Sequence, residues 1–576
     1  MKSAVARSPG TGNRSAAADG RPSSVGQEAL WFLHALAPDS SAYNVTAAMN
    51  LHFPVDAAMM ATAVRRAVSG HAVLTDVFRF AGGAVRRFRA TGQQAEPEFE
   101  VLELPDADDA SARRHAQDLS QRPFRLDQRP PVRIALLRRS AGRDILLVAT
   151  HHIVADDVSQ LLLFRDVLDE YAALARGAEP PSVVDAAVVD TAASDTAVVD
   201  TAFDDFVDRQ RAYLASPRAE AARTYWRGEL EGLPDGDCLP TDRPRPAVHR
   251  FEGTAIDFDL PPDVLARVER AAHAHNATVF GYLLSVFQVL LYTAGGGTDC
   301  LIGYPATQRS RRLRGSVGYF VNTLPFRGRL DPDDSFDEVL RRTTRTLWRG
   351  LMHRELPFAM MPQPAGARRD PSRPGLLSLM FVMNAVDPAA DPFLATVLPG
   401  RRAEHAGLAV SRFDVPEQHG QVDLTMFVLQ SGAHARATLK YNTSLYTART
   451  ARSLADAYVR LLTSAAGDAL PAALRELAGP NTEREETPMD QGTVIESTDR
   501  LAQVRDIASD VLSAEPEEVE AAQSFKEDLD ADSLLAIELL TRLEKHFDVV
   551  IPESELPRLV TNLRTAYEVV AESAGW

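Results

Sequence analysis

Two adjacent histidines and an aspartate four residues after the second form the run HHIVADDVS, from His151 to Ser159. The run follows an apolar, strand-like segment at 145–150 and precedes a helical pattern with an apolar stripe over 161–174. It therefore predicts a strand-to-helix turn, where a buried base can be held rigidly beside a substrate. Proton transfer by an imidazole is the chemistry that this run indicates.

The composition is that of a globular chain with an acidic C-terminal module. The 576 residues are 45% hydrophobic and 24% charged, enough for about three or four packed units. The formal net charge is −17, and residues 496–576 carry −12 of it from 19 acidic and 7 basic side chains, which leaves −5 for the rest. Such a surface argues against nucleic acid as a ligand and favours partners with basic patches.

The sequence gives no sign of a membrane span, a signal peptide or a metal site. No apolar run reaches the roughly 18 to 20 residues that a span needs, and residues 1–23 lack the apolar segment of a signal peptide. The two cysteines, Cys238 and Cys300, lie in no metal-ligand pattern. We therefore expect a cytoplasmic protein without structural disulfides or bound metal, with a disordered tail over 1–23.

Changes in pattern divide the rest of the chain. Strand and helix patterns alternate over 24–177 and again over 203–475, which predicts two α/β lobes. The segment 178–202 between them is punctuated by Pro and Asp and contains AVVDTA twice, which indicates a flexible connection. Residues 476–497 are polar and without periodicity, as is typical of a linker, and 498–576 predict a helical bundle.

Further motifs occur in a fixed order around the histidine pair. They are GQEALWFLHALAPDSSAYNV (Gly26–Val45), HHIVADDVS, DDFVDRQRAYL, YWRGELEGL, LPTDRPRP (Leu239–Pro246), IGYPATQRSRR, VGYFVNTLPFR (Val317–Arg327), HRELPF (His353–Phe358) and RRDPSRPGLLSLMF. The series resembles the condensation domains of nonribosomal peptide synthetases, with HHIVADDVS in the place of the family's HHxxxDG. The resemblance covers residues 24–475 and implies two chloramphenicol-acetyltransferase-like α/β lobes that form a V-shaped domain.

The resemblance also implies roles for the matching residues. His152 corresponds to the family's second histidine, in a tunnel between the lobes where two pantetheine arms meet. It is the candidate general base, or a group that positions the acceptor by a hydrogen bond. His151 is expected to orient the loop, and Asp156 to fix the turn, cap the following helix or pair with an arginine. Arg309 is the family-position candidate for an ion pair near the site.

Three positions leave questions open. Asn322 either hydrogen-bonds across the lobe interface or packs as a core residue at a strand end. The family's glycine after the motif aspartate is Asp157 here, which adds bulk and charge where an acceptor arm would approach. The family's second motif, usually Arg-His-x-x-Leu-Arg-Thr, is GHAVLTD at 70–76, so an ion pair that would brace Asp156 from this side is expected to be lost.

The C-terminal region resembles an acyl or peptidyl carrier protein. FKEDLDADSLLAIELLTRLEKHFDVVIP places Ser533 at the start of a helix, within Asp-Ser-Leu and an acidic bundle. The resemblance implies that Ser533 carries 4′-phosphopantetheine, attached by a phosphopantetheinyl transferase. The free N–H groups and positive dipole of a helix N-terminus suit a phosphodiester there. No adenylation domain is recognised in the sequence, so we expect a loading enzyme that acts in trans and an upstream or separate carrier protein as partners.

These features predict a condensation–carrier didomain of a nonribosomal peptide or hybrid polyketide assembly line, of the kind that makes antibiotics and other secondary metabolites. It would join a carrier-bound acyl thioester to an acceptor amine or hydroxyl, giving an amide or an ester, with one substrate on its own carrier. Two alternatives stay open. The lobes could be a non-catalytic platform that recruits tailoring enzymes, which Asp157 favours and the intact histidine motif opposes. They could also be a CoA-dependent acyltransferase, which the attached carrier disfavours.

Overall fold

The computed structural model describes residues 20–574, with gaps at 141–142, 178–199, 235–236, 363–369, 371, 374, 417–419, 468, 471, 478–496, 513, 523, 530–532, 548, 550 and 552–554. The chain divides into two compact units. The first comprises Met1–Pro362 and Ser372–Gly479, and the second contains Pro480–Trp576. The predicted tail lies outside the described residues up to residue 19, as do 178–199 of the predicted connection and 478–496 of the predicted linker.

Strands and helices alternate through the first unit, and the described elements of the second unit are helices. The strands are β1 (Arg21–Pro22), β2 (Asn44–Leu51), β3 (Asp76–Ala81), β4 (Ala84–Arg89), β5 (Glu98–Glu103), β6 (Val132–Arg138), β7 (Ile145–His151), β8 (Gly253–Leu260), β9 (Asp299–Thr307), β10 (Val321–Arg329), β11 (Leu379–Val386), β12 (Arg402–His405), β13 (Leu408–Phe413), β14 (Leu424–Ser431) and β15 (His434–Asn442). The α-helices are α1 (Val25–Leu36), α2 (Ala57–Ser69), α3 (Asp109–Ser120), α4 (Asp157–Ala175), α5 (Ala202–Leu214), α6 (Pro217–Leu230), α7 (Pro262–Ala274), α8 (Val279–Thr293), α9 (Phe336–Met352), α10 (Ala448–Ala466), α11 (Ser497–Leu512), α12 (Pro516–Ala521), α13 (Phe525–Asp528), α14 (Ser533–Phe547), α15 (Leu556–Leu559) and α16 (Leu563–Ala574).

The first lobe is built on a six-stranded mixed sheet with the order β12-β13-β2-β7-β6-β5. Strand β7 lies inside this sheet, antiparallel to β2 on one side and to β6 on the other. All seven of its residues are buried, which explains why its sequence is a continuous apolar run and not an alternating one. Helix α4 follows β7 and packs against α2. The histidine pair therefore lies where an internal strand ends and a buried helix begins.

The second lobe is built on another six-stranded mixed sheet, with the order β10-β9-β11-β14-β15-β8. Helix α8 is buried from Gly281 to Tyr292 because apolar residues surround its axis on every side. The apolar periodicity over 265–292 predicts a long helical segment broken near Asn276. Helices α7 and α8 are separated there, and Asn276 has a φ of +52°. No single helix among the described residues is long and apolar enough to cross a membrane, although the bent pair α7–α8, at 105°, passes that test of length and composition together.

Segments from 203–475 contribute to the first lobe. Strand β13 comes from within 203–475 but pairs antiparallel with β2 of the first lobe, with Val410 opposite Leu51. Leu313, Val317 and Phe320 are likewise part of the apolar core of the first lobe. The sequence-based division assigns all of 203–475 to the second lobe and therefore does not include these contributions to the first. Strand patterning shows which residues form a strand but does not identify the sheet that the strand joins.

The C-terminal unit is helical, as predicted. Its long helices α11, α14 and α16 share an apolar core that includes Val504, Leu539, Leu543, Ala566 and Val570. The short helices α12 and α13 were not anticipated, because six- and four-residue helices are too short to show an apolar period. Mixed α/β lobes followed by a helical unit are the fold class that the sequence indicates.

Candidate active site

The histidine pair lies in a tight turn between β7 and α4. His151 is the last residue of β7, and its carbonyl accepts a hydrogen bond from the Val154 N–H at 3.1 Å. Asp156 is extended at φ −110° and caps α4 by accepting the Ser159 N–H at 2.9 Å. The strand-to-helix turn predicted from the sequence is therefore present, and hydrogen bonds fix both of its ends.

His152 presents one ring nitrogen as a proton acceptor. Its Nδ1 lies 2.8 Å from the Ala155 carbonyl oxygen, which can only accept, so Nδ1 carries the proton. Among the described residues Nε2 has no hydrogen-bond partner, which leaves its lone pair free. The ring packs edge-on against Tyr319, with 5.3 Å between centroids, and the backbone N–H of His152 donates to the Tyr43 carbonyl at 2.8 Å. A half-buried imidazole held in this tautomer can act as a general base.

His151 has the opposite tautomer. Its Nδ1 accepts the backbone N–H of Ile153 at 3.1 Å, so the proton of the neutral ring lies on Nε2. Burial lowers the pKa of His151 well below the usual value, and the neighbouring imidazoles of His34 and His152 lower it further. A neutral ring that accepts a hydrogen bond within its own turn fits the predicted role of orienting the loop.

A crevice between residues of both lobes adjoins His151. It is lined by Leu33, His34, Ala37, Ser40, Tyr43, His151 and Phe251. His34 meets His151 edge to face, with 5.6 Å between ring centroids. Burial lowers the pKa of His34, and the positive charge of Arg125 lowers it further. Both rings that face this crevice are therefore neutral hydrogen-bonding groups near pH 7.

Asp156 is buried, and its partner is an arginine from the second lobe's part of the chain. Arg309 Nη2 donates to Asp156 Oδ1 at 2.7 Å, and the Phe320 N–H donates to Oδ2 at 3.3 Å. Only 3% of the Asp156 side chain and 7% of the Arg309 side chain are exposed. Arg309 also lies over the Phe320 ring, 4.4 Å from its centroid. Of the alternatives expected for Asp156, the structure contains two contacts together: it caps α4 and it pairs with an arginine.

The second motif does not reach Asp156. The hydroxyl of Thr75 donates to the Ala72 carbonyl at 2.9 Å, and no contact of Thr75 with Asp156 occurs in the described part of the chain. His71 Nε2 instead lies 2.7 Å from Asp166 of α4. In the described part of the chain, Arg309 supplies the positive charge beside Asp156 from the other side.

The two remaining motif positions differ in setting. Asp157 is exposed at the first turn of α4, and its Oδ2 lies 3.5 Å from Asn384 Nδ2 of β11. Asn322 is buried, and its amide nitrogen donates to the carbonyls of Arg354 and Leu356 at 2.9 and 2.8 Å. These partners lie in the second lobe, like Asn322 itself. Asn322 thus supports the HRELPF turn, which corresponds to the core alternative and not to a bond across the lobes.

Two residues of the site were missed in the sequence reasoning. Tyr319 packs on His152, and a Cβ added to Gly26 would lie 2.7 Å from its ring, so glycine is needed for this approach. Ser159 is fully buried and bonds to Asp156, Arg309 and Gly318. Both residues lie inside motifs quoted above, but their contacts depend on chain segments that are far apart in the sequence.

In the C-terminal unit, Ser533 is the first residue of the 15-residue helix α14. A serine at this position adjoins the free backbone N–H groups of the first helical turn, which suit a phosphate ester. The backbone position is therefore compatible with phosphopantetheine on Ser533.

Comparisons with known proteins agree with this geometry. The family profile of the condensation domain matches residues 18–485, and that of the phosphopantetheine attachment site matches 502–571. Phosphinothricin tripeptide synthetase PhsC of Streptomyces viridochromogenes is 32% identical over 78% of this chain and 39% of its own length. PhsB of the same organism is 30% identical over 90% and 39%. The dimodular nonribosomal peptide synthase of Bacillus subtilis is 29% identical over 78% and 18%. The chain thus spans well under half the length of these relatives.

Solved structures share the fold. The X-domain from teicoplanin biosynthesis superposes with a TM-score of 0.66 at 22% identity, covering 78% of this chain and 95% of that one. The four-domain synthetase AB3403 gives a TM-score of 0.67 at 21% identity, covering 85% and 36%. At this level of identity the likeness concerns the fold alone. The two profile matches carry the assignment: the chain belongs to the condensation-domain family of nonribosomal peptide synthetases and continues into a phosphopantetheine-attachment domain.

Proposed function

We propose that this chain condenses a carrier-bound acyl thioester with an acceptor amine, and that His152 takes the proton from the attacking nitrogen. The observation that carries the proposal is the 2.8 Å contact between His152 Nδ1 and the Ala155 carbonyl oxygen, which places the proton on Nδ1 and leaves the lone pair on Nε2. The profile match to the condensation domain supports the same reaction class.

The proposed step is an acyl transfer. The acceptor nitrogen attacks the thioester carbon, a C–N bond forms and the C–S bond breaks. The proton leaves the nitrogen for Nε2 of His152 and passes to the departing sulfur, so the products are an amide and a free carrier thiol. His151 remains neutral throughout, and the buried Asp156–Arg309 ion pair holds the turn. Ester formation would follow the same steps with a hydroxyl as acceptor.

The attached carrier is proposed to tether one of the two substrates. The usual order of domains makes that substrate the acceptor. The second profile match makes this unit a site of covalent 4′-phosphopantetheine attachment, and Ser533 is the proposed residue. When bound, the group supplies a thiol that holds the substrate as a thioester. A phosphopantetheinyl transferase is the partner that attachment requires. A loading enzyme acting in trans and a second carrier protein for the other substrate are further proposals.

A reconstituted assay tests the base. Ser533 is loaded with a panel of aminoacyl-pantetheines, acyl groups are supplied on a separate carrier protein, and intact mass reports the product. His152→Ala is expected to lower the rate by about 10²–10⁴-fold. His115→Ala is the matched control. His115 is half-buried like His152, and its Nδ1 likewise lies close to a carbonyl oxygen, 2.9 Å from that of Ser111. His152→Ala that condenses as fast as wild type would sink the proposal.

Two further arms separate the alternatives. His152→Gln keeps a hydrogen-bonding side chain that cannot take up a proton, so activity near wild type would make His152 a positioning group and not a base. Acyl-CoA replaces the acyl-carrier donor in the other arm, and equal rates would favour a CoA-dependent acyltransferase. If wild type forms no product with any loaded pair yet binds a tailoring oxygenase, the platform function replaces condensation.

A further inference from the structure

Ser159 is the point where the two lobes meet behind the histidine turn. Its hydroxyl lies 2.7 Å from Asp156 Oδ1, 2.7 Å from Arg309 Nη2, 2.8 Å from the Gly318 oxygen and 3.0 Å from the Gly318 nitrogen. The residue is fully buried. We infer that Ser159 is a positioning residue that holds the Ala155–Asp156 segment in the arrangement that fixes the tautomer of His152.

The Ser159 hydroxyl uses its whole hydrogen-bonding capacity. A serine hydroxyl has one proton and two lone pairs. The lone pairs accept the Gly318 N–H and one Arg309 N–H, while a second Arg309 N–H goes to Asp156. The hydroxyl proton then has two acceptors within 2.8 Å, the Gly318 carbonyl and the Asp156 carboxylate. Every capacity is filled, and alanine at this position would leave both the N–H and the carbonyl of the buried residue Gly318 without this partner.

The connection to His152 is one residue long. Asp156 follows Ala155, whose carbonyl oxygen accepts the Nδ1–H of His152 at 2.8 Å. Two other bonds hold the first half of the turn: the Ile153 carbonyl accepts Gln27 Nε2 at 2.9 Å, and the His152 N–H donates to the Tyr43 carbonyl. In the second half the backbone N–H groups of Ser159 and Phe320 also donate to the Asp156 carboxylate. The side chains of Ser159 and Arg309 act on the second half, where the tautomer is set. Loss of the Ser159 hydroxyl would release the Ala155 carbonyl and let the proton of His152 redistribute between its two nitrogens.

The test compares three variants of the full chain. Ser159→Ala removes the hydroxyl, and Ser159→Thr restores one at the same position. Ser285→Ala is the matched control, because Ser285 is also fully buried and its hydroxyl donates to the Gly281 carbonyl within α8, away from the site. Thermal unfolding of all three shows how much of any effect is a general loss of stability.

The decisive readout is the tautomer of His152, observed by ¹⁵N NMR of histidine-labelled protein and assigned with His152→Gln. Wild type, Ser159→Thr and Ser285→Ala are expected to give the Nδ1–H signature, and Ser159→Ala a shift towards Nε2–H. The inference rests on the proposed function only for its kinetic arm, in which Ser159→Ala should lower kcat by about tenfold to a hundredfold with little change in KM. A Ser159→Ala protein that retains the Nδ1–H signature overturns the inference. A wild type without condensation activity overturns the proposed function alone.

Discussion

The structure predicts a pH-dependent contribution to stability from His71 in the second motif. His71 is 2% exposed, with Nε2 2.7 Å from Asp166 Oδ2 and Nδ1 3.6 Å from the nearest Asp200 oxygen. Burial alone would lower the pKa of this imidazole. The two carboxylates outweigh burial and raise the pKa from 6.5 to about 9. His71 is therefore a buried cation at neutral pH, and it ties Asp200, two residues before α5, to the first lobe.

The magnitude follows from linkage. A pKa shift of one unit is worth 1.36 kcal/mol, so raising the pKa from 6.5 to about 9 contributes about 3 kcal/mol to the free energy of unfolding. Because the folded-state pKa is the higher one, this contribution is fully present below pH 6.5 and is lost as the pH rises through about 9. The steepest loss lies between these two values.

Urea unfolding followed by tryptophan fluorescence measures this effect. Wild type and His71→Gln are compared at about pH 6 and about pH 10, with the difference between the two proteins taken at each pH to cancel the titration of other groups. Wild type is expected to be more stable than His71→Gln by about 3 kcal/mol at the lower pH, with the gap closing at the higher pH. A gap that stays constant across this interval would refute the assignment of His71 as a buried cation.

Three further predictions concern the site. Arg309→Met leaves the Asp156 carboxylate buried without its cation and is expected to destabilise the first unit by about 3–5 kcal/mol in urea unfolding, with Asp156→Asn in the same chain recovering part of the loss. Gly26→Ala forces the Tyr319 ring away from His152 and should cost about 1–3 kcal/mol of stability together with condensation activity, whereas unchanged kinetics would show that the ring contact is dispensable. Ser533→Ala should abolish the mass increase that a phosphopantetheinyl transferase produces, and a persisting increase would place attachment elsewhere.

Features set by neighbouring residues in the chain could be predicted from the sequence. The turn at the histidine pair follows from an apolar strand, two histidines and an N-cap aspartate, all within fifteen residues. The break between α7 and α8 and the long helices of the C-terminal unit follow from the same local periodicity. In each case the information lies in residues that are close together in the chain.

Features that depend on segments far apart in the chain could not be predicted from the sequence. The pairing of β13 with β2 requires knowing which exposed sheet edge a strand meets, and the strand pattern is the same for either lobe. The contact of Ser159 with Gly318 joins residues 159 positions apart. The replacement of the second-motif arginines was visible in the sequence. The use of His71 as a buried cation was not, because it depends on Asp166 and Asp200.

The position of β13 in the first-lobe sheet has a consequence for synthesis on the ribosome. Asn50 of β2 and Ser411 of β13 are 361 residues apart, so at about 5–20 residues per second β2 is made roughly 20 to 70 s before its neighbour. Through that interval one edge of the nascent first-lobe sheet has no partner strand, and an open edge can pair with another chain. Slow or interrupted translation should therefore favour aggregation of this protein, and expression hosts that protect nascent sheet edges with chaperones should raise its yield.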